Sequence, residues 1–231
     1  MTSTITAEAA RPAGDPSPPD TPTDLYAAAL AVTAAGGRAE LAVGAGHRWS
    51  TVDIEAWTAG PGAADRTLLE RCAGATLDVG CGPGRLTAAV AATGTPALGI
   101  DTCATAVRLA RARGADALHR SVYARLPGTG RWRHVLLADG NIGIGGDPYR
   151  LLDRCRRLVA PTGTILVEVG APGTATARRT LRLRHGGRHS HPFPWAYVSV
   201  TDLPRIADAT ALRVLDRWSA AGRWFATVAP R

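Results

Sequence analysis

The chain has 231 residues and a mass of 24.0 kDa, enough for one α/β core that needs no disulfide or metal staple. Its 27 basic residues are all arginine, and lysine and glutamine are absent, so the net charge of +8 reflects composition bias as much as a basic surface. No apolar run reaches the roughly 20 residues of a membrane helix, and no basic flank with an apolar h-region opens the chain, so a cytoplasmic protein is expected. The four cysteines, Cys72, Cys81, Cys103 and Cys155, form no C-x-x-C pair, so reduced, mostly buried thiols are expected.

Residues 1 to 22 hold five prolines and almost no large apolar side chain, which predicts a disordered tail. A helix over Leu25 to Thr33 follows. Two β-like runs, Arg38 to Val43 and His47 to Ile54, flank Gly44-Ala45-Gly46 and predict a hairpin. With the helix, this hairpin makes an N-terminal lid over residues 23–60, ahead of a main domain over 61–231. A helix over Ala63 to Cys72 precedes Gly74.

From Gly74 short apolar runs alternate with amphipathic stretches. The runs are Thr76 to Val79, Ala97 to Ile100, Ala117 to Leu118, Val135 to Ala138 and Thr164 to Val169. Helices are expected over Leu86 to Ala92, Ala104 to Arg113 and Pro148 to Val159. The last starts with Asp147 as N-cap and Pro148 at the first helical position, and Pro161-Thr162-Gly163 is expected to end it. Such alternation predicts a doubly wound, mostly parallel sheet with helices on both faces. Strands over Thr180 to Leu183 and Ala196 to Val200, a helix over Asp202 to Ala209, and a hairpin of Leu212 to Ser219 with Arg223 to Val228 complete the chain. The hairpin predicts an antiparallel edge.

The most informative stretch is Asp78-Val79-Gly80-Cys81-Gly82-Pro83-Gly84-Arg85. A strand runs through glycines into a helix, so bare backbone and a positive helix N-terminus can face a polar cofactor. The dinucleotide pattern G-x-G-x-x-G would need a glycine where Arg85 stands. Asp78 to Gly84 resembles motif I of the class I S-adenosylmethionine-dependent methyltransferases. Ala97-Leu98-Gly99-Ile100-Asp101 resembles their second motif, which ends the next strand on an acid.

The resemblance implies a seven-stranded sheet with an antiparallel last strand, and S-adenosyl-L-methionine as cofactor. It also implies that Asp101 holds the ribose hydroxyls and that Asp78, Gly80, Cys81, Gly82, Gly84 and Thr102 line the cofactor. Many relatives carry Asp beside the adenine after the third strand, where this chain has Ser121-Val122. A hydroxyl and a backbone N–H are the expected readers there.

Methyl transfer from a sulfonium is an in-line displacement in which alignment does much of the work, and a base is needed only for a protonated acceptor. The loop Ala138-Asp139-Gly140-Asn141 carries neither the D/N-P-P-Y/F signature of amino-group methylation on bases nor a Pro-Cys nucleophile. Asp139 and Asn141 are expected either to contact the methionine end or the acceptor, or to satisfy a tight turn. Glu168 is expected to face outward or cap rather than catalyse, and His134 lies at the wrong end of the sheet.

His185, His189 and His191 form a cluster without carboxylate or cysteine. Arg182, Arg184 and Arg188 beside it would repel a cation, so no metal is expected. A solvated turn, acceptor binding and general-base duty by His189 stay open. Trp195 and Tyr197, with Tyr26, Trp49 and Trp57 and with His191, could roof an acceptor pocket, and core packing is the alternative for each aromatic.

The reading is therefore a methyltransferase acting on O or N of a small molecule, with neither a nucleic-acid nor a membrane partner expected. An RNA or protein methyltransferase, or an S-adenosylmethionine-binding protein without methyl transfer, are the alternatives. The basic excess, +7 over residues 174–231, would attract an anionic acceptor if it has a use.

Overall fold

The computed structural model describes residues 20–231. The expected tail therefore lies outside the described residues except for its last three. Those three are ordered. The Asp20 carbonyl accepts the His191 N–H at 2.7 Å, and Thr21 caps the first helix, α1 (Pro22–Ala34), in a capping box with Asp24.

The N-terminal hairpin forms as β1 (Leu41–Ala45) and β2 (Arg48–Val52). The extended reading through Ile54 runs too far, because the Asp53 carboxylate accepts the Ala56 N–H and starts a short helix, α2 (Ile54–Thr58). Helix α3 (Ala63–Leu69) leads into the main alternation of β3 (Thr76–Val79), α4 (Arg85–Ala91), β4 (Ala97–Asp101), α5 (Ala104–Ala112) and β5 (Ala117–His119). It continues with β6 (Trp132–Leu137), a 3-10 turn (Asn141–Gly143), α6 (Pro148–Leu158) and β7 (Val159–Val169). Pro161-Thr162-Gly163 does not separate α6 from β7. The chain passes straight into an extended strand whose register against β6 shifts between Trp132 and His134, and that irregularity absorbs the proline.

The remaining elements are β8 (Ala177–His185), β9 (Arg188–His189), β10 (Phe193–Tyr197), α7 (Leu203–Asp208), β11 (Leu212–Ala220) and β12 (Arg223–Pro230). Strand β10 starts earlier than expected. It is an edge strand paired along its length with β8 and bridged elsewhere only at Trp195 to Ile144, so Pro194 deprives no second strand of a donor.

Seven strands form one sheet in the order β11-β12-β7-β6-β3-β4-β5, with only β12 running against the parallel set. Strand alternation sorts the core. Val135, Leu137, Ile165 and Val167 pack with Leu151, Leu152 and Cys155 of α6 on one face. Leu136, Leu166 and Phe225 pack with α3 and α4 on the other.

The second sheet, in the order β10-β8-β1-β2 with β9 against β8, joins two segments far apart in the chain. Strand β1 pairs with β8 through Leu41 opposite His185 and Val43 opposite Leu183, so the N-terminal hairpin and residues 177–197 make one layer. No helix among the described residues is long and apolar enough to cross a membrane.

Candidate functional site

The order of the main sheet reverses between β3 and β6, and the crevice outside the strand ends at such a switch point is where open α/β sheets bind ligands. A cavity of about 460 Å³ lies there, bordered below by Gly80, Cys81, Gly82, Asp101, Thr102, Ser121 and Val122. Its floor is backbone by necessity. Gly82 has φ +52°, and a Cβ there would stand 3.0 Å from the Tyr26 hydroxyl. Gly84, with φ +81° at the N-cap of α4, lets that helix approach α5 so closely that a Cβ would meet Ala110 at 2.6 Å.

Asp101 ends β4 at the cavity edge. One carboxylate oxygen accepts the Gly82 N–H at 2.9 Å and the other the Cys103 N–H at 2.7 Å. Burial raises its pKa, and those two N–H groups work against the rise. The Ser121 hydroxyl accepts the Tyr123 N–H at 3.2 Å, which leaves its own proton to donate. Asn141 braces the floor by donating to the Val79 and Gly80 carbonyls at 2.9 and 3.0 Å.

A buried ion network stands at the other end of the floor. Arg85 donates to both Asp139 oxygens at 2.8 Å and pairs with Asp65. Arg223, from β12, reaches Glu168 at 2.6 and 2.8 Å, Asp65 at 2.8 Å and Asp139 at 2.9 Å. Glu168 also accepts the Asp139 N–H at 2.6 Å, holding that residue at φ +52°. Burial works against the charge of Arg85, and Asp139 and Asp65 more than offset it, raising its pKa. Burial likewise opposes ionisation of Asp65, and Arg85, the Gly62 N–H and Arg223 together pull its pKa down. Five chain segments are tied together by these two arginines.

The second sheet closes the top. Leu41, Val43, Val52, Leu181 and Leu183 face the cavity with Phe193, Trp195 and Tyr197, while Tyr26 and Trp57, edge to face at 5.7 Å, close one side. Trp195 is packed tightly on the backbone of Gly143, where a Cβ would overlap its indole. Burial and the nearby Asp101 charge push the Tyr26 phenol well above its usual pKa, so it stays protonated.

Residues 76–163, which contain the glycine loop, Asp101 and Asn141, match the family model described as methyltransferase domain. That stretch of the chain is similar to a methyltransferase domain. The fold agrees. An S-adenosylmethionine-dependent methyltransferase from Bacteroides fragilis, in complex with S-adenosyl-L-homocysteine, is 20% identical with a TM-score of 0.77, covering 91% of this chain and 96% of its own. A 1,6-didemethyltoxoflavin-N1-methyltransferase from Burkholderia thailandensis is 17% identical at TM-score 0.53, covering 71% of this chain and 75% of its own. A sugar N-methyltransferase from Streptoalloteichus is 14% identical at TM-score 0.53, covering 73% and 85%. No curated protein matches the sequence.

Within and around that stretch the residues singled out from sequence separate into two groups. Gly80, Cys81, Gly82, Asp101, Thr102, Ser121, Val122, Asp139, Asn141, Trp57, Trp195 and Tyr197 all border the cavity. Asp78 and Gly84 do not. Strand alternation turns Asp78 toward α4, where its carboxylate accepts the Thr87 hydroxyl at 2.7 Å and burial raises its pKa to about 6. Gly84 serves helix packing instead.

Trp49, His189 and His191 also miss the cavity. Trp49 opposes Gly44, one register step from the inward Val43, so it points out and meets His189 edge to face at 5.3 Å. His191 is exposed beside Asp20. Arg182, Arg184 and Arg188 share this outer side, where Arg182 donates to the Ser190 carbonyl at 2.8 Å, Arg184 lies over Trp49 and Arg188 pairs with Asp20. The carboxylate of Asp139 and the amide of Asn141 are already engaged, so neither is a free base. The network of Arg85, Asp65, Glu168 and Arg223 was missed. Arg85 directly after the last glycine was its one visible signal, because the other three are spread over 158 positions.

Proposed function

We propose that this protein transfers the methyl group of S-adenosyl-L-methionine to a nitrogen of a small-molecule acceptor. The observation that carries the reading is a cavity between a polar floor and an apolar roof, which places the acceptor beneath the second sheet. Bulky polymers would have to displace that sheet.

The floor fits the cofactor. Asp101 keeps a lone pair on each oxygen beyond its two backbone contacts, which suits the two hydroxyls of a ribose. Gly80 and Gly82 would offer bare backbone to it, and Ser121 and Val122 a hydroxyl and an N–H for the adenine edge. Arg85 and Asp139, an ion pair at the cavity border, would suit the zwitterionic methionine end. When bound, the cofactor supplies an electrophilic methyl on a sulfonium.

Nitrogen is favoured by the proton balance. A nitrogen lone pair would bond the methyl carbon as the thioether leaves with the C–S pair, and the surplus proton would pass to water, so no residue of this chain need act as a base. A hydroxyl acceptor would need a base within hydrogen-bond reach. Among the described residues at the cavity, Asp101 and Asp139 are held by N–H groups and arginines, and Tyr26 is protonated. Two solved structures of this fold are described as an N1-methyltransferase and a sugar N-methyltransferase, which supports a small acceptor and a nitrogen.

Calorimetry with S-adenosyl-L-homocysteine tests the floor. Charged hydrogen bonds of about 1.5–3 kcal/mol each predict that Asp101→Asn weakens binding about 100-fold. Unchanged affinity in a variant with the parent's circular dichroism would overturn the assignment.

A further inference from the structure

Resting on the methyltransferase reading, we propose that the acceptor is a neutral, apolar, ring-bearing small molecule, not the anion that the basic C-terminal third suggests. Register decides this. Val43 opposes Leu183, Leu41 opposes Val52 and Leu181 opposes Phe193, and all six face the cavity. A single face of a four-strand path therefore presents only hydrocarbon and aromatic surface over the cavity floor.

The charges sit elsewhere. Arg182 and Arg184 alternate with Leu181 and Leu183 along β8, so the pleat that turns the leucines inward turns these arginines to the outer side. Arg188 is engaged by Asp20. Charged side chains bordering the cavity are Arg85, Asp101, Asp139 and Arg120, all from the side of the main sheet and none from the roof. Arg85 is committed to Asp65 and Asp139. Arg120 donates to the Arg125 carbonyl at 3.1 Å.

An anionic group carried against this roof would lose water and meet no cation there, a costly transfer; Arg120, which bonds only a carbonyl, stands exposed on the floor side. A flat neutral ring has the opposite fit. The edge-to-face pairs Tyr26 with Trp57 and Phe193 with Trp195, at 5.7 and 6.2 Å, place ring surfaces at two sides of the cavity against which it can stack.

The test compares 1-aminonaphthalene with 1-naphthoate, one ring system in neutral and anionic form, binding to the full chain at pH 8 with saturating S-adenosyl-L-homocysteine. Fluorescence titration should give at least tenfold tighter binding of the amine. Leu183→Glu should lower amine affinity at least tenfold with S-adenosyl-L-homocysteine affinity within twofold of the parent, and Arg184→Ala should change neither. Equal or tighter binding of naphthoate by the parent protein overturns the inference whether or not Leu183→Glu folds. Failure of S-adenosyl-L-homocysteine itself to bind overturns the methyltransferase reading, and the inference with it.

Discussion

The floor and the roof of the cavity are built in opposite ways. Much of the floor comes from one stretch, residues 79–141, whose contacts follow from adjacent β-α units, and it is lined by backbone, carboxylates and two arginines. The roof joins β1 and β2 to β8 and β10 by antiparallel pairing across more than 130 positions, and it is lined by aliphatic and aromatic side chains. A polar site can be specified locally, because a glycine loop and a carboxylate each satisfy nearby backbone groups. An apolar lid needs distant partners, since a two-strand ribbon alone cannot bury its face.

The sharpest way to break the floor is at its helix junction. Gly84→Val adds a side chain where φ is +81° and where Ala110 leaves 2.6 Å for even a Cβ. Backbone strain and overpacking together should cost about 3 kcal/mol or more, seen as a large fall in melting temperature with loss of cofactor binding. A variant as stable as its parent would mean that α4 does not depend on this approach.

Next comes the frame behind the floor. Arg223→Met leaves Asp65, Asp139 and Glu168 with one arginine among them, and removing a partner from a buried pair costs about 3–5 kcal/mol. Arg223 keeps 28% of its side chain exposed, which screens the loss to roughly 2 kcal/mol. Chemical denaturation should report that loss, together with weaker S-adenosyl-L-homocysteine binding because Asp139 loses one of its two arginines. Leu183→Ala in the roof should leave that affinity unchanged.

The smallest effect distinguishes the two regions by pH. Asp78 is pushed up to about 6 by burial, above its value near 3.9 in an unfolded chain. Between those values the folded state binds more protons than the unfolded one, so this group lowers stability as pH rises through the window, and the penalty persists above pH 6. Asp78→Asn, which can still accept from Thr87, should therefore be more favourable relative to the parent at pH 8 than at pH 4, by about 1–2 kcal/mol. The loss from Leu183→Ala should be the same at both. Equal differences for Asp78→Asn would show the carboxylate is ionised freely in the fold.

Legibility followed the range of the interactions. Thr76–Val79 was read to the residue, and the reversed strand β12 was anticipated from its hairpin, because period and turn residues are local signals. Asp101, Gly80 and Gly82 border the cavity, in keeping with what the resemblance to the methyltransferase motifs implies, and Gly84 does not. Trp49, His189 and the arginines of β8 were misplaced for a different reason. Composition shows that a strand is near a site, and only its register shows which face meets it, since a shift of one residue exchanges the faces. The extended run through Pro161 was missed because a bulge against β6, formed by tertiary pairing, overrode a turn signal.

The sequence by itself determined the α/β alternation, the glycine loop and the acid that ends the next strand, because these depend on propensities and contacts within about thirty residues. The tertiary structure alone decided that Arg223 meets Asp65, that the N-terminal hairpin pairs with β8, and that the arginine-rich segment turns its leucines inward and its charges out. The physical reason is that these depend on which distant chain segment satisfies a strand edge or a buried charge. Such partners are chosen by packing of the whole molecule, and a local pattern carries no record of that choice.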